Sequence, residues 1–123
     1  MGGKMSREKG KRGEREFAKL CRDEGFEVRR TAQYCGKTGE AADVVGLPHI
    51  HVEVKNVERL NVYDAMCQAV WDANKEGKGN LPIVAHKKNY HRWLIIMEAE
   101  TFFKIYKESS YADETDEERP AAE

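Results

Sequence analysis

Between residues 49 and 55 the chain reads His-Ile-His-Val-Glu-Val-Lys, with polar and apolar residues in strict alternation. A two-residue period marks a β-strand, so His49, His51, Glu53 and Lys55 are expected on one face and Ile50, Val52 and Val54 packed on the other. A carboxylate and an ammonium are thereby held two residues apart, roughly 6 to 7 Å along the strand.

The elements around this strand follow from periodicity and turn chemistry. Phe17, Ala18, Leu20 and Cys21 form a stripe at helical spacing. The helix that carries them is expected to begin between residues 6 and 13 and to end at Gly25. Phe26 and Val28 alternate with Glu27 and Arg29 in a short strand reaching about Thr31, followed by a polar, glycine-containing loop over 32–40. A second strand is expected over 42–46, with Leu47-Pro48 as the turn into the third. Val62, Ala65, Met66, Ala69, Val70 and Ala73 predict a helix ending near residues 77–79. Strands are expected over 81–86 and 92–97, and a short helix over 101–107. The order α-β-β-β-α-β-β makes this an α/β chain, a mixed β-sheet with helices against it. At 123 residues it is one domain by length, so any active site shares the single core.

No apolar run approaches the roughly 20 residues that a membrane span requires, and Met-Gly-Gly-Lys-Met-Ser at the start lacks the apolar segment of a signal peptide. The expectation is a cytoplasmic protein without a membrane partner. Cys21, Cys35 and Cys67 form no CxxC pair, which argues against a disulfide framework or a zinc finger. Cys21 and Cys67 are expected as small buried hydrophobes on helices and Cys35 in a loop. His49 and His51 alone are half of a metal site at most.

The formal net charge of −1 conceals a split. From Glu108 onward seven acids face Arg119 alone, leaving that tail at −6 and residues 1–107 at +5. The expected organisation is a flexible basic arm over 1–12, a folded domain over 13–108 and an acidic disordered tail over 109–123. A basic body suits a polyanion, because Lys and Arg that neutralise phosphates release counterions.

The chemistry gathers at Asp43, Glu53 and Lys55. Asp43 precedes the Glu-x-Lys strand at hairpin distance and can lie beside Glu53 across the sheet. Two carboxylates about 5 Å apart repel by roughly 3 kcal/mol at an effective dielectric near 20, which calls for a positive charge between them. A hard cation such as Mg²⁺ meets that need, activates water and stabilises charge on a phosphate oxygen. Lys55 can then orient or deprotonate the attacking water, or offset charge on the phosphate. An isolated Glu-x-Lys triplet is common on amphipathic strands; here Asp43 and the placing of Glu14 give it weight. Glu14 falls inside the apolar stripe of the first helix and needs a partner, either a metal with its water shell or an arginine.

The segments Lys11-Arg-Gly-Glu-Arg-Glu-Phe17, Gly25-Phe-Glu-Val-Arg-Arg-Thr31, Ala42-Asp-Val-Val45 and Val52-Glu-Val-Lys55 resemble the archaeal-type Holliday junction resolvases, found also in phages, within the PD-(D/E)xK nucleases. The resemblance runs from about Lys9 to Trp93. It implies a restriction-endonuclease-like fold and a homodimer that hydrolyses paired strands of four-way DNA junctions. By motif position it implies Glu14, Asp43, Glu53 and Lys55 as catalytic residues, with Asp43, Glu53 and Glu14 holding Mg²⁺, or Mn²⁺ as a substitute. The family's loop hydroxyl falls on Thr31 or Thr38, and Gln68 occupies a helix position where related nucleases place a glutamine or lysine. On this reading Arg29, Arg30, Lys37, Lys87 and Lys88 are phosphate contacts. Trp71, Trp93, Phe102, Phe103 and Tyr106 are more aromatic surface than a small core hides, and some are expected at a dimer interface. The setting implied is a prokaryotic cell or a phage-infected host. Two other readings keep the same fold: a nuclease for flaps, nicks or a restriction site, and a DNA-binding module without chemistry. The presence of all four site residues argues against the latter.

Overall fold

The computed structural model describes residues 2–31 and 42–113. In it the alternating segment is β3 (Ile50–Asn56), the middle strand of a five-stranded sheet. On one side lie β2 (Val44–Val45) and then β1 (Arg29–Arg30); on the other lie β4 (Leu81–Lys87) and then β5 (Leu94–Ile96). β1, β2 and β3 pair antiparallel, with Arg29 opposite Val45 and Val44 opposite Val52. β3 and β4 run parallel from Ile50 and Leu81 to Asn56 and Lys87, and β5 returns antiparallel. A parallel neighbour needs a crossover, which is α2 (Val62–Glu76). The mixed sheet flanked by helices is the architecture that the order of elements predicts.

Both faces of β3 are covered. Val52 and Val54 join Phe17, Ala18, Cys21, Ile83 and Ala85 under α1 (Gly2–Asp23), while Ala65, Met66 and Ala69 of α2 pack on Val84 from the other side. Asn61 caps α2 by accepting from the Asp64 N–H at 3.0 Å, and Gly77 ends it in the left-handed conformation at φ 69°.

The helix start expected between residues 6 and 13 is corrected: α1 begins at Gly2 and runs through the segment expected as a flexible arm. Tertiary anchors explain this. Asn56 Nδ2 donates to the Lys9 carbonyl at 3.0 Å, and Lys9 Nζ lies 3.5 Å from Glu58. The close approach depends on Gly13, where an added Cβ would sit 2.5 Å from that of Asn56. The first strand is also shorter than expected, two residues rather than six, because the Val28 N–H turns back onto the Phe26 carbonyl at 2.9 Å. Trp93 likewise lies outside β5, its ring 5.2 Å from that of Phe17. Helix α3 spans Ala99–Lys107, and a 3₁₀ turn over Ser110–Asp113 occupies the start of the segment expected to be disordered. Ser109 Oγ donates to the Tyr106 carbonyl at 2.7 Å and ties that turn to α3. Cys21 is buried as expected, whereas Cys67 is exposed on α2. Cys35, Lys37, Thr38 and the last ten residues lie outside the described residues. No helix among the described residues is long and apolar enough to cross a membrane.

Gly46, just after β2, leaves no room for a side chain. At φ +123° a Cβ there would stand 2.2 Å from the Glu27 carbonyl oxygen and 2.8 Å from the Val28 Cα. Gly46→Ala is expected to destabilise the protein by about 3 kcal/mol or more, the combined cost of a left-handed backbone and a clash with main chain. Chemical denaturation checks this, and a loss below about 1 kcal/mol would show that β1 yields freely.

Candidate active site

Strand pairing fixes Asp43 first. Its N–H donates to the Val52 carbonyl at 2.9 Å, its carbonyl accepts from Thr31 N–H at 3.0 Å, and its Oδ2 accepts from Val54 N–H at 2.8 Å. The carboxylate is thus held against β3 beside Glu53, and its charge acts on Glu53. Glu53 is only 3% exposed and lies on the α2 side with His51, which is fully buried, and Asp72.

His51 is clamped at both ring nitrogens. Nδ1 lies 2.8 Å from Glu76 Oε1, and Nε2 lies 3.0 Å from Glu53 Oε2. Burial, helped by the charges of Asp43 and Asp72, raises the Glu53 carboxyl to about 7 against the bond and charge of His51, which pull it down. For His51 burial disfavours the cation, but the bonds and charges of Glu53 and Glu76 outweigh it, and the imidazole is raised above its ordinary value. The site is therefore rich in negative charge and poor in solvent. A cation is what such a site lacks, and the oxygens of Asp43 and Glu53 suit a hard one.

Lys55 is half-buried near the end of the strand, its Nζ 3.4 Å from Gln68 Oε1. The structure thus brings Gln68 to Lys55. Glu14 is bound to Arg30, whose Nε donates to Glu14 Oε1 at 2.8 Å, so an arginine is the partner it has. Arg30 is engaged there rather than presented freely to phosphate, whereas Arg29 is exposed. Thr31 Oγ1 is buried without a hydrogen-bond partner. Lys87 closes β4 opposite Asn56. Lys88 neighbours Glu58, whose carboxyl is held below its ordinary value by the Asn89 N–H and by the charges of Lys9 and Lys88.

His51, Asp72 and Glu76 join the cluster around Glu53; the sequence reading weighs His51 only as half of a metal site and does not single out Asp72 or Glu76. The signal existed for the latter two. Asp72 lies within the buried stripe of Ala65, Ala69 and Ala73 on α2 and half-buried Glu76 at its end, the same irregularity that drew attention to Glu14.

A mixed sheet with an aspartate and a Glu-x-Lys pair on adjoining central strands is the arrangement of the PD-(D/E)xK nucleases, which are metal-dependent. The chain belongs to the family described as phage putative PDDEXK endonuclease, whose model matches residues 5–119. Among solved structures it is similar to Hjc of Archaeoglobus fulgidus, a Holliday junction resolvase from an archaeal hyperthermophile. The TM-score is 0.55 and the identity 24%, over 72% of this chain and 76% of that one, a likeness of fold. No curated protein gives a significant match.

Proposed function

We propose that the protein is a Mg²⁺-dependent endonuclease that resolves four-way DNA junctions by phosphodiester hydrolysis. The observation that carries this is Asp43, clamped by the Val54 N–H beside Glu53, with Lys55 two residues further along the same strand. Asp43 and Glu53 would hold the cation, with Glu14 exchanging Arg30 for its water shell. A bound Mg²⁺ supplies a Lewis acid and an activated water. Lys55, steadied by Gln68, moves a proton at the attacking water or meets charge on the phosphate. Arg29, Lys87 and Lys88 remain the candidate DNA contacts, and Thr31 joins them only if its buried Oγ1 becomes exposed. Lys37 and Thr38 extend that set, as does the basic first half of α1. Catalysis is assigned to residues 13–108, and removal of 109–123 is expected to leave cleavage intact.

Junction choice is tested by competition. Excess linear duplex should displace labelled four-way junction far less well than an equal mass of unlabelled junction, and cleavage should vanish with EDTA and return with Mg²⁺ or Mn²⁺. Displacement by duplex as readily as by junction would leave a general or flap-directed nuclease.

A homodimer follows from the symmetry of a junction cut on two strands. Trp71, Phe102, Phe103 and Tyr106 are exposed, with Phe102 stacked on Tyr106 and edge-on to Phe103, while Trp93 is spent internally on Phe17. Tyr63, Met66, Val70, Trp71 and Met97 line an apolar groove next to α3. This face is the proposed dimer surface. Sedimentation equilibrium at micromolar concentration should give twice the 14.1 kDa chain mass, and Trp71→Glu should return the monomer. A wild-type species of one chain mass would remove the dimer from the proposal.

A further inference from the structure

Three carboxylates converge on one imidazole beneath α2. A ring nitrogen of His51, a carboxylate oxygen of Glu53 and one of Asp72 lie within 4.8 Å of one another, all at buried residues. Glu76 stands behind the ring at Nδ1. Asp72 is 5% exposed, and its Oδ2 is buried with no hydrogen-bond partner. A proton shared between His51 Nε2 and Glu53 Oε2 satisfies those two atoms but leaves Asp72 Oδ2 unmatched, a cost no native core carries without a reason.

We propose that His51, Glu53 and Asp72 form a binding site for a divalent transition-metal cation of the zinc type. It neighbours the site proposed for Mg²⁺ and shares Glu53 with it, but its ligand set and its test stand without that reading. The chemistry selects the ion. With Nδ1–H donated to Glu76, the tautomer of His51 carries its lone pair on Nε2, the usual arrangement behind a metal-ligating histidine. Mg²⁺ demands octahedral oxygen ligation and keeps several waters, which a pocket formed by residues this buried does not accommodate. Zn²⁺ takes imidazole and carboxylate together at about 2.0–2.2 Å with only four ligands, three from protein and one open. Such bond lengths set ligand atoms about 3.4 Å apart. The His51 Nε2 to Glu53 Oε2 distance of 3.0 Å is already near that value, and closing the set asks only for Asp72 to move inward.

The test uses the full chain without DNA, stripped by chelator and dialysed against Zn²⁺, with Co²⁺ as the spectroscopic stand-in. One tightly bound ion per chain is expected. Co²⁺ should give visible d–d absorption without the sulfur charge-transfer band that ligation by Cys21, Cys35 or Cys67 would add. Asp72→Asn, close to isosteric, should weaken Zn²⁺ at least about tenfold, and Glu76→Gln about 10- to 100-fold through the ring it orients. His91→Gln, at an exposed histidine outside the cluster, should change nothing. Circular dichroism establishes that each variant is folded, and if Asp72→Asn is not, Glu76→Gln decides. Absence of Zn²⁺ binding, a thiolate band, or affinity unchanged in the folded variants overturns the proposal. Zn²⁺ bound as expected by a protein that cuts no junction would overturn the proposed function and leave this site standing; the reverse result would do the opposite.

Discussion

Asp43→Asn and Glu53→Gln should each lower the Mg²⁺-dependent cleavage rate by about a thousandfold or more, while junction affinity changes less than about threefold. Each substitution removes one anionic oxygen ligand from the pair. Losing several kcal/mol of transition-state stabilisation, at 1.36 kcal/mol per decade, gives a loss of about that size. The fold has reason to survive both. The side-chain oxygen of an asparagine at 43 can still accept from the Val54 N–H, and an amide at 53 can still meet His51 Nε2. Neither carboxylate neutralises a phosphate, so binding, which rests on lysine and arginine, should persist and keep its steep salt dependence. Lys55→Met should fall by about 10² to 10⁴ if its ammonium serves proton transfer. Gln68→Ala, which frees Lys55 without removing it, should cost less than Lys55→Met. Single-turnover cleavage of labelled junction, with filter binding in Ca²⁺, separates rate from affinity. Activity within tenfold of wild type in Glu53→Gln would remove Glu53 from the catalytic set.

Much of this arrangement is legible in residues 49–55. A strict two-residue period sends His51, Glu53 and Lys55 to one face and Val52 and Val54 to the other, and the hairpin distance to Asp43 brings the carboxylates together. Periodicity says which residues share a face, not what lies over it. The polar face of β3 is not a solvent face, because the parallel pairing with β4 forces a crossover and α2 comes to lie on top of it. That fact belongs to residues 31 positions downstream, and with it goes the burial of His51, which the sequence leaves as half of an incomplete metal motif. Asp72 and Glu76 carry an incomplete signal for the same reason: a carboxylate in a helical stripe calls for a partner, but which partner follows only once the opposing face is known to be charged. The helix start was misplaced because Lys-, Arg- and Gly-rich residues carry no apolar period, while the contact that holds them, Asn56 on the Lys9 carbonyl, spans 47 residues.

The second large effect concerns pH. Burial, with Asp43 and Asp72 nearby, places the Glu53 carboxyl at about 7 instead of its ordinary 4.5, so the folded metal-free chain keeps a proton that the unfolded chain has released. Stability rises with pH only where the unfolded state binds more protons, and here the inequality is reversed. The contribution is fully present below about 4.5 and is lost as pH rises through about 7. Its upper size is about 3 kcal/mol, from 1.36 kcal/mol per pK unit. His51, also raised, acts in the same direction. A divalent cation reverses the trend, because it binds the carboxylate and must displace the proton. Below pH 7 its affinity should therefore rise about tenfold per pH unit, the slope of one proton released. Thermal melts should show Tm falling from pH 5.5 to 8 without metal, and a Mg²⁺-induced rise in Tm that is small at pH 5.5 and largest at pH 8. Glu53→Gln, which has no proton to displace, should melt with a flatter pH profile and lose the pH-dependent response to Mg²⁺. A Mg²⁺ response of equal size at pH 5.5 and pH 8 in the wild type would mean that the ion does not bind at Glu53.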